Sequence, residues 1–282
     1  MESFFFYEPV DHLPNNLTHL TFGESFNKRV DNLPSSLTHL TFEDGFNQKV
    51  DKLPSSLTHL TSGNQFNQEV DNLPSSLTHL TFGKKFNRKV YDLPEKLTHL
   101  TFGNLFNQQI DYLPSSLTHV TFGNDFNQTV NNLPSSLTHL ILGYNFNREV
   151  DDLPSSLTHL TFGNDFNQTV NNLPTKLTHL KFTEVYSFNK PINNLPNSIT
   201  TLAAFFKTDN IIKLPSCLQQ LIIFNRGPNP LNSKMIEIPH TVKKIYLYKS
   251  CNLQDFLKDV PRDCIISEFD SYMVDEFNLT FF

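Results

Sequence analysis

Histidine recurs at every twentieth position of the chain, nine times in succession. The histidine column consists of His19, His39, His59, His79, His99, His119, His139, His159 and His179. Imidazole takes up a proton near neutral pH and is a common metal ligand. Three interpretations remain open: stacked structural imidazoles, a contact surface for a protein partner, and metal binding or pH sensing. Zinc needs nitrogen ligands at about 2.0–2.1 Å, and rungs about 4.8 Å apart let only neighbouring histidines converge.

Sequence motifs of common enzymes are absent from the chain. There is no P-loop, GxGxxG, HExxH or GxSxG pattern. Acidic pairs such as Asp151 and Asp152 fall in predicted turns, where solvated capping is their expected role. We therefore predict a protein that is not an enzyme and has no catalytic residue, no cofactor and no resident metal.

The histidines belong to a 20-residue block, LPSSLTHLTFGNDFNQTVNN, that recurs with small changes. Its nine copies begin at Leu13, Leu33, Leu53, Leu73, Leu93, Leu113, Leu133, Leu153 and Leu173. A unit of this size cannot enclose a core of its own, so the copies must stack into a solenoid.

One unit, Leu33–Lys52, shows the expected path of the chain. Leu40 and Phe42 alternate with His39 and Thr41, which predicts a strand with one buried face and outward histidines. The return path is too short for a long helix. A glycine follows most strands and is expected to permit a bend.

Two further columns continue through all nine units. The column that includes Phe46 should fill the core, and the asparagine after it should form an amide ladder inside the coil that satisfies backbone groups. Phenylalanine also ends most strands. Ser62 replaces this phenylalanine in one unit, and we expect that coil to be locally less stable.

The repeat resembles the FNIP repeat, a leucine-rich-repeat-like family known from social amoebae and giant DNA viruses. The resemblance is carried by Leu-Pro-x-x-Leu-Thr-His-Leu and by Phe-Asn-x-x-Val or Ile runs such as Phe46–Val50 and Phe188–Ile192. It implies a leucine-rich-repeat-like, right-handed coil with one parallel β-sheet, acting as a binding scaffold; the nine regular units and three diverged ones predict about 12 coils. Some members of the family carry an F-box, for which the 12 residues before the first unit are too few.

The period divides the chain into four expected segments. We predict that residues 1–12 are a partial unit that caps the first coil and that residues 13–182 are the regular repeats. We predict that residues 183–260 are diverged repeats and that residues 261–282 form a C-terminal cap. Residues Asn252–Val260 have the pattern of a short helix, with Pro261 as its end.

The composition of the chain indicates which classes of partner and which cellular compartment to expect. The net charge is −6, with a pI near 6.0 and no basic run, so nucleic acid is not an expected partner. No apolar stretch is long enough for a membrane span, and no secretory signal is evident. We expect a cytoplasmic protein, in the host cytoplasm if it is viral, and read Cys217, Cys251 and Cys264 as buried reduced thiols.

The predicted function is a non-enzymatic scaffold for protein–protein interaction, either monomeric or weakly self-associating. Recognition of an irregular partner needs residues that differ between coils, and these lie at the edges of the repeats. The candidate interaction surface combines part of the histidine column with exposed edge residues of types suited to anchoring. Its members are His39, His59, His79, His99, His119, His139, His159, Arg88, Tyr91, Tyr112, Tyr144 and Arg148. Two alternatives are a self-assembling structural rod and the substrate-recognition part of a ubiquitin ligase pathway.

Overall fold

A computed structural model describes residues 10, 13–183, 188–204, 212–224, 236–248 and 257–269. The chain divides into two compact units, Met1–Leu137 and Thr138–Phe282. Both are built from short parallel strands, and the described residues contain no helix, hence none long and apolar enough to cross a membrane.

The first unit is a regular parallel ladder. Its strands are β1 (His19–Phe22), β2 (His39–Phe42), β3 (His59–Thr61), β4 (His79–Thr81), β5 (His99–Thr101) and β6 (His119–Thr121). Each strand pairs with the next at an offset of one repeat, so that histidine lies opposite histidine, as in His39 and His59. The 20-residue period of the sequence therefore sets the register of strand pairing in the sheet.

The second unit continues with the same kind of strand and adds a second sheet. In chain order its strands are β7 (His139–Ile141), β8 (His159–Phe162), β9 (His179–Phe182), β10 (Thr201–Ala204), β11 (Ile212–Lys213), β12 (Gln220–Ile223), β13 (Ile236–Glu237), β14 (Lys244–Tyr248), β15 (Leu257–Lys258) and β16 (Ile265–Phe269). Strands β7–β10, β12, β14 and β16 form one parallel ladder, and β11, β13 and β15 form a three-stranded parallel sheet.

Phenylalanine fills the core of most regular coils as two stacked rings per coil. The centroids of Phe42 and Phe46 are 3.6 Å apart, and Phe46 lies 6.1 Å from Phe66 of the next coil. Leu40 and Phe42 are almost fully buried. The predicted β-rich solenoid with one buried strand face is therefore confirmed.

In the regular coils the strand is preceded by a turn built from a Leu-Pro-x-x-Leu segment, such as Leu-Pro-Ser-Ser-Leu at 33–37. The N–H of Leu37 donates to the carbonyl of Pro34 at 3.1 Å, which closes the turn. The hydroxyl of Ser36 donates to the carbonyl of Leu17 in the preceding coil at 2.7 Å. The turn thus satisfies its own backbone and binds its neighbour.

Two expectations about the C-terminal region need correction. Residues 252–256 lie outside the described part of the chain, but Leu257–Lys258 is strand β15, paired with Ile236–Glu237, and not the end of a helix. Backbone pairing with the neighbouring coil outweighs the local helical pattern here. Cys217 is exposed and Cys264 half-buried, both as free thiols, because Cys217 occupies a turn position that serine fills in the regular coils. Cys251 lies outside the described residues.

The assignments of residues 1–12 and 261–282 as caps remain predictions. Within the described residues, Val10 is buried, and β16 pairs in parallel with β14. Most of the residues expected to form the two caps are not among those described.

Glycine after the strand is needed for a different reason from the expected bend. No glycine among the described residues has a positive φ. Instead, a Cβ placed on Gly103 would lie 1.9 Å from the carbonyl oxygen of Gly83. The coils approach each other too closely at this point for any side chain.

We expect Gly103→Ala to destabilise the protein, because overpacking of this kind typically costs about 1–3 kcal/mol. Thermal and denaturant unfolding would measure the loss. Asn104→Ala is the matched control, since Asn104 is the next residue and is exposed. Equal stability of the two variants would contradict the close-contact explanation.

Ser62 interrupts the strand-end phenylalanine column but is not left unsatisfied. Its side chain is buried, and its hydroxyl oxygen accepts the N–H of Gly83 at 3.0 Å. One hydrogen bond offsets only part of the lost apolar contact, since such a bond contributes about 0.5–1.5 kcal/mol and a buried phenylalanine about 1.5–3 kcal/mol.

We therefore expect Ser62→Phe to raise the free energy of unfolding by about 1 kcal/mol. Phe102→Ser, the reverse change at an intact position, should lower it by about 3–5 kcal/mol. Denaturant titration of both variants checks the pair. Destabilisation by Ser62→Phe would mean that the coils have closed over the missing ring.

Candidate functional site

The histidine column of the first unit is a continuous stack of rings. Consecutive centroids from His19 to His119 are 4.1–4.2 Å apart, and the ring planes differ by only 10–13°. The second unit repeats the arrangement, with 4.1 Å between His139 and His159 and 4.2 Å between His159 and His179. The stacking that was one of three interpretations is present in each unit.

A threonine beside each imidazole fixes the orientation of the ring. In the third coil, Thr58 Oγ1 lies 2.9 Å from His59 Nδ1 and donates to the carbonyl of Thr38 at 3.1 Å. A hydroxyl has one proton, so donation to this carbonyl leaves Oγ1 to accept the Nδ1–H of the histidine. The lone pair of Nε2, on the far side of the ring from Cγ, is then free.

The environment of the column favours neutral imidazole. Burial, followed by the proximity of neighbouring histidines, lowers the pKa of His39, His59, His79 and His99. In the second unit, burial lowers the pKa of His179. Protonation in acid would place positive charges on neighbouring stacked rings, and their repulsion makes protonation less favourable in the folded protein.

This shift predicts loss of stability in acid. The unfolded chain binds protons near the ordinary histidine pKa of 6.5, whereas in the folded protein histidines with a lowered pKa, such as His39 and His59, bind them only at lower pH. The unfolded state therefore holds more protons between these values. Stability is full above about pH 6.5 and falls as the pH drops through the folded pKa. Unfolding midpoints at about pH 7.5 and 5.5 measure the effect.

The control replaces His39, His59, His79 and His99 by glutamine, which does not titrate in this range. We expect this variant to lose less stability between the two pH values than the unchanged chain. An equal loss in both proteins would assign the acid sensitivity to other groups.

The outward face beside the column differs between the units. In the first unit the outward threonines, such as Thr41 and Thr61, are half-buried. In the second unit Thr161 and Lys181, at the equivalent positions, are buried.

Sequence reasoning missed an outward apolar cluster in the diverged coils. Ala203 and Ile222 are fully buried and pack with Phe224, and Tyr246 and Tyr248 lie against them. The signal was available: strands β10 and β12 carry consecutive apolar residues after their first position, which is typical of a strand covered on both faces.

Asparagine forms a ladder along the return side of the coils. The side-chain oxygen of Asn47 accepts the N–H of Asn67 at 2.9 Å, and Asn67 does the same for Asn87 at 3.0 Å. The ladder satisfies backbone groups as predicted. These asparagines are exposed or half-buried, so the ladder lies at the surface and not inside the coil.

Three of the five predicted edge residues come together in the first unit. We call Arg88, Lys89, Tyr91 and Tyr112 the tyrosine edge. The rings of Tyr91 and Tyr112 meet edge to face at 5.8 Å, and their exposed fractions are 51% and 65%. Lys89 Nζ lies 5.5 Å above the centre of the Tyr91 ring, and a hydrogen bond to Tyr91 raises the pKa of Lys89.

The tyrosine edge borders a cleft of about 400 Å³. Arg88 is held in place, because its Nε donates to the carbonyl of Asn67 at 3.0 Å. The cleft carries both signs of charge, with acidic groups from one coil facing basic groups of the next. Its lining consists of Glu69, Asp71, Asn87, Arg88, Lys89, Tyr91 and Gln108.

The other two predicted edge residues belong to the second unit. Tyr144 lies in the turn after β7 with 48% of its surface exposed, and Arg148 is exposed two residues after Phe146. They do not line the cleft of the tyrosine edge.

The repeat geometry and the sequence together define the class of protein, a leucine-rich-repeat-like solenoid. The FNIP repeat model matches residues 9–45, 29–61, 46–85, 86–125, 126–165 and 149–184, so this chain belongs to the FNIP repeat family. Among proteins with curated descriptions, none is significantly similar to it.

Solved structures support the same class. CroV588, a circular leucine-rich-repeat protein of the giant virus CroV, is 40% identical with a TM-score of 0.73, over 91% of this chain and 47% of its own. YopM of Yersinia enterocolitica is 21% identical with a TM-score of 0.56, over 93% and 61% of the two chains. Internalin InlF of Listeria monocytogenes is 18% identical with a TM-score of 0.53, over 89% and 73%. The chain thus spans about half the length of CroV588, and YopM and InlF are alike in fold.

Proposed function

We propose that this protein is a non-enzymatic scaffold that binds a protein partner in the cytoplasm, with the tyrosine edge as its main contact. The observation that carries the proposal is the exposed pair Tyr91 and Tyr112, which meet edge to face beside a cleft. Tyrosine and arginine are enriched among the residues that dominate binding energy at interfaces. Repeat folds present extended surfaces suited to such binding.

The side chains of the tyrosine edge contact one another and the neighbouring coil without a partner. The Tyr91 ring contacts both Lys89 and Tyr112, and Arg88 is hydrogen-bonded to the backbone of the neighbouring coil. Side chains that are fixed in advance lose less conformational entropy on binding. The mixed charge of the cleft favours a partner segment that presents both an acidic and a basic group.

The regular face of the strands is a weaker candidate for association. In the first unit it repeats histidine and threonine without change, so it distinguishes no position from the next. An all-polar face also supplies little apolar area to drive association in water. These features favour a partner that binds at the edge over a rod that grows by contact between strand faces.

The proposal predicts that Tyr91→Ala combined with Tyr112→Ala abolishes partner capture. Crosslinking affinity capture from host cytosol, followed by mass spectrometry, would identify proteins bound in stoichiometric amount. Loss of a central aromatic anchor typically costs at least about 2 kcal/mol of binding free energy, or roughly thirtyfold in affinity.

Leu105→Ala is the matched control, because Leu105 is also an exposed large side chain but lies in a turn outside the cleft. A partner retained by the control and lost by the tyrosine variant is the expected result. A partner retained by both variants would show that the interface lies outside the tyrosine edge. Recovery of multimers of the chain alone would favour the self-assembling rod.

A further inference from the structure

The histidine column presents one ring nitrogen per coil, and these nitrogens point the same way. In the first unit the ring planes differ by only 10–13° at spacings of 4.1–4.2 Å, so neighbouring Nε2 atoms point outward in nearly parallel directions. Nδ1 of His39 and of His59 lies 2.9 Å from a threonine hydroxyl, and within the described residues Nε2 of these two rings has no hydrogen-bond partner. Parallel nitrogens suit separate partners, one per coil, in a row along the column.

Protonation turns this row of acceptors into a row of charged donors. Nδ1 already carries a hydrogen, which it donates to the threonine oxygen, so an added proton goes to Nε2. Each protonated ring then directs one N–H outward, with the next ring of the column 4.1–4.2 Å away. The positive charges repel one another, and a row of negative charges along the column offsets that repulsion. Hydrogen bonds from a charged donor to an anionic oxygen are also stronger than neutral ones.

Histidines determine the charge of the strand face in the first unit. The outward residues beside them are threonines. The turns before the strands and the residue after each strand-end position carry three charges, on the exposed side chains of Glu43, Glu95 and Lys96. The causes that lower the pKa of His39 and His59 are burial and other histidines. The face therefore becomes positive as its histidines take up protons.

The repetition of the face selects a ligand that repeats as well. Histidine lies opposite histidine in five successive strand pairs, so a uniform linear chain meets the same donor at each coil. The imidazole faces are stacked on one another and are not available to bases, which single-stranded nucleic acids need for stacking on a protein. A chain of phosphates has a negative charge on every unit, bends at every bridging oxygen and has no bases to accommodate.

We propose that the histidine column of the first unit binds linear inorganic polyphosphate in mild acid, with protonated Nε2–H groups donating to phosphate oxygens along the chain. The uniformity that makes this face a poor surface for one irregular protein suits such a ligand. Because the protonated column is the form that binds, the protein takes up protons together with polyphosphate. The proposal concerns the strand face and is independent of the tyrosine edge.

The test compares two variants that remove the same number of basic groups. The column variant replaces four stacked histidines by glutamine, and the lysine variant replaces four exposed lysines that lie outside the strands. Circular dichroism checks that both are folded. The substitutions are His39→Gln, His59→Gln, His79→Gln and His99→Gln in the column variant, and Lys28→Gln, Lys49→Gln, Lys52→Gln and Lys85→Gln in the lysine variant.

Long-chain sodium polyphosphate is titrated calorimetrically at low salt, at about pH 5.5 and 7.5. We expect the unchanged chain and the lysine variant to bind at least about tenfold more tightly at the lower pH, because uptake of one proton changes the affinity by up to about tenfold per pH unit. The column variant is expected to lose this gain. A gain that the column variant retains, or that the unchanged chain lacks, would overturn the proposal.

A second measurement uses the unchanged chain at about pH 6.5 and does not depend on how the variants fold. Calorimetry in two buffers of different ionisation enthalpy gives the number of protons taken up on binding. We expect at least about one proton per bound chain, and at least about tenfold weaker binding of pyrophosphate, which spans too few coils. Binding without proton uptake, or equal affinity for pyrophosphate or for a single-stranded RNA homopolymer, would contradict the proposal.

Discussion

Each regular coil of this protein must pack against a near copy of itself. In the regular coils the strands pair in register one repeat apart, so most strand side chains meet the same residue type in the neighbouring coil. The residues that fill the inner columns are therefore those that tolerate their own kind. Phenylalanine stacks, asparagine offers an acceptor to the N–H of the next asparagine, and glycine lets two backbones approach within contact distance.

The same constraint explains the chemistry of the histidine column. Imidazole can stack on imidazole while neutral, and burial together with the proximity of neighbouring histidines lowers the pKa of inner members such as His59 and His79. The threonine before each histidine contacts Nδ1 of the ring through its hydroxyl and so fixes the orientation of the ring. Repetition thus converts an ordinary surface residue into an ordered array, whose properties depend on neighbours that only the stacking supplies.

Residues that differ from coil to coil occur mainly at positions where the coils do not pack against one another. The edge turns carry the residues that change from coil to coil, and there Tyr91, Tyr112 and Arg88 gather beside a cleft. In the diverged coils the outward strand positions change as well, with Ala203 and Ile222 in an apolar cluster. A regular interior therefore supports a small number of distinctive surfaces.

The sequence by itself determined the period, the solenoid, the inward Leu40 and Phe42 positions and the outward histidines, because a 20-residue repeat with two-residue alternation admits few other arrangements. It also carried the family, through motifs that recur in tandem. The tertiary structure decided what depends on contact between coils. It showed that Gly103 is required by a neighbouring carbonyl and not by its own φ, and that Leu257–Lys258 joins a strand despite a helical pattern. It also brought Tyr91 and Tyr112 together across 21 residues of sequence, since distances between coils are set by packing that no single repeat contains.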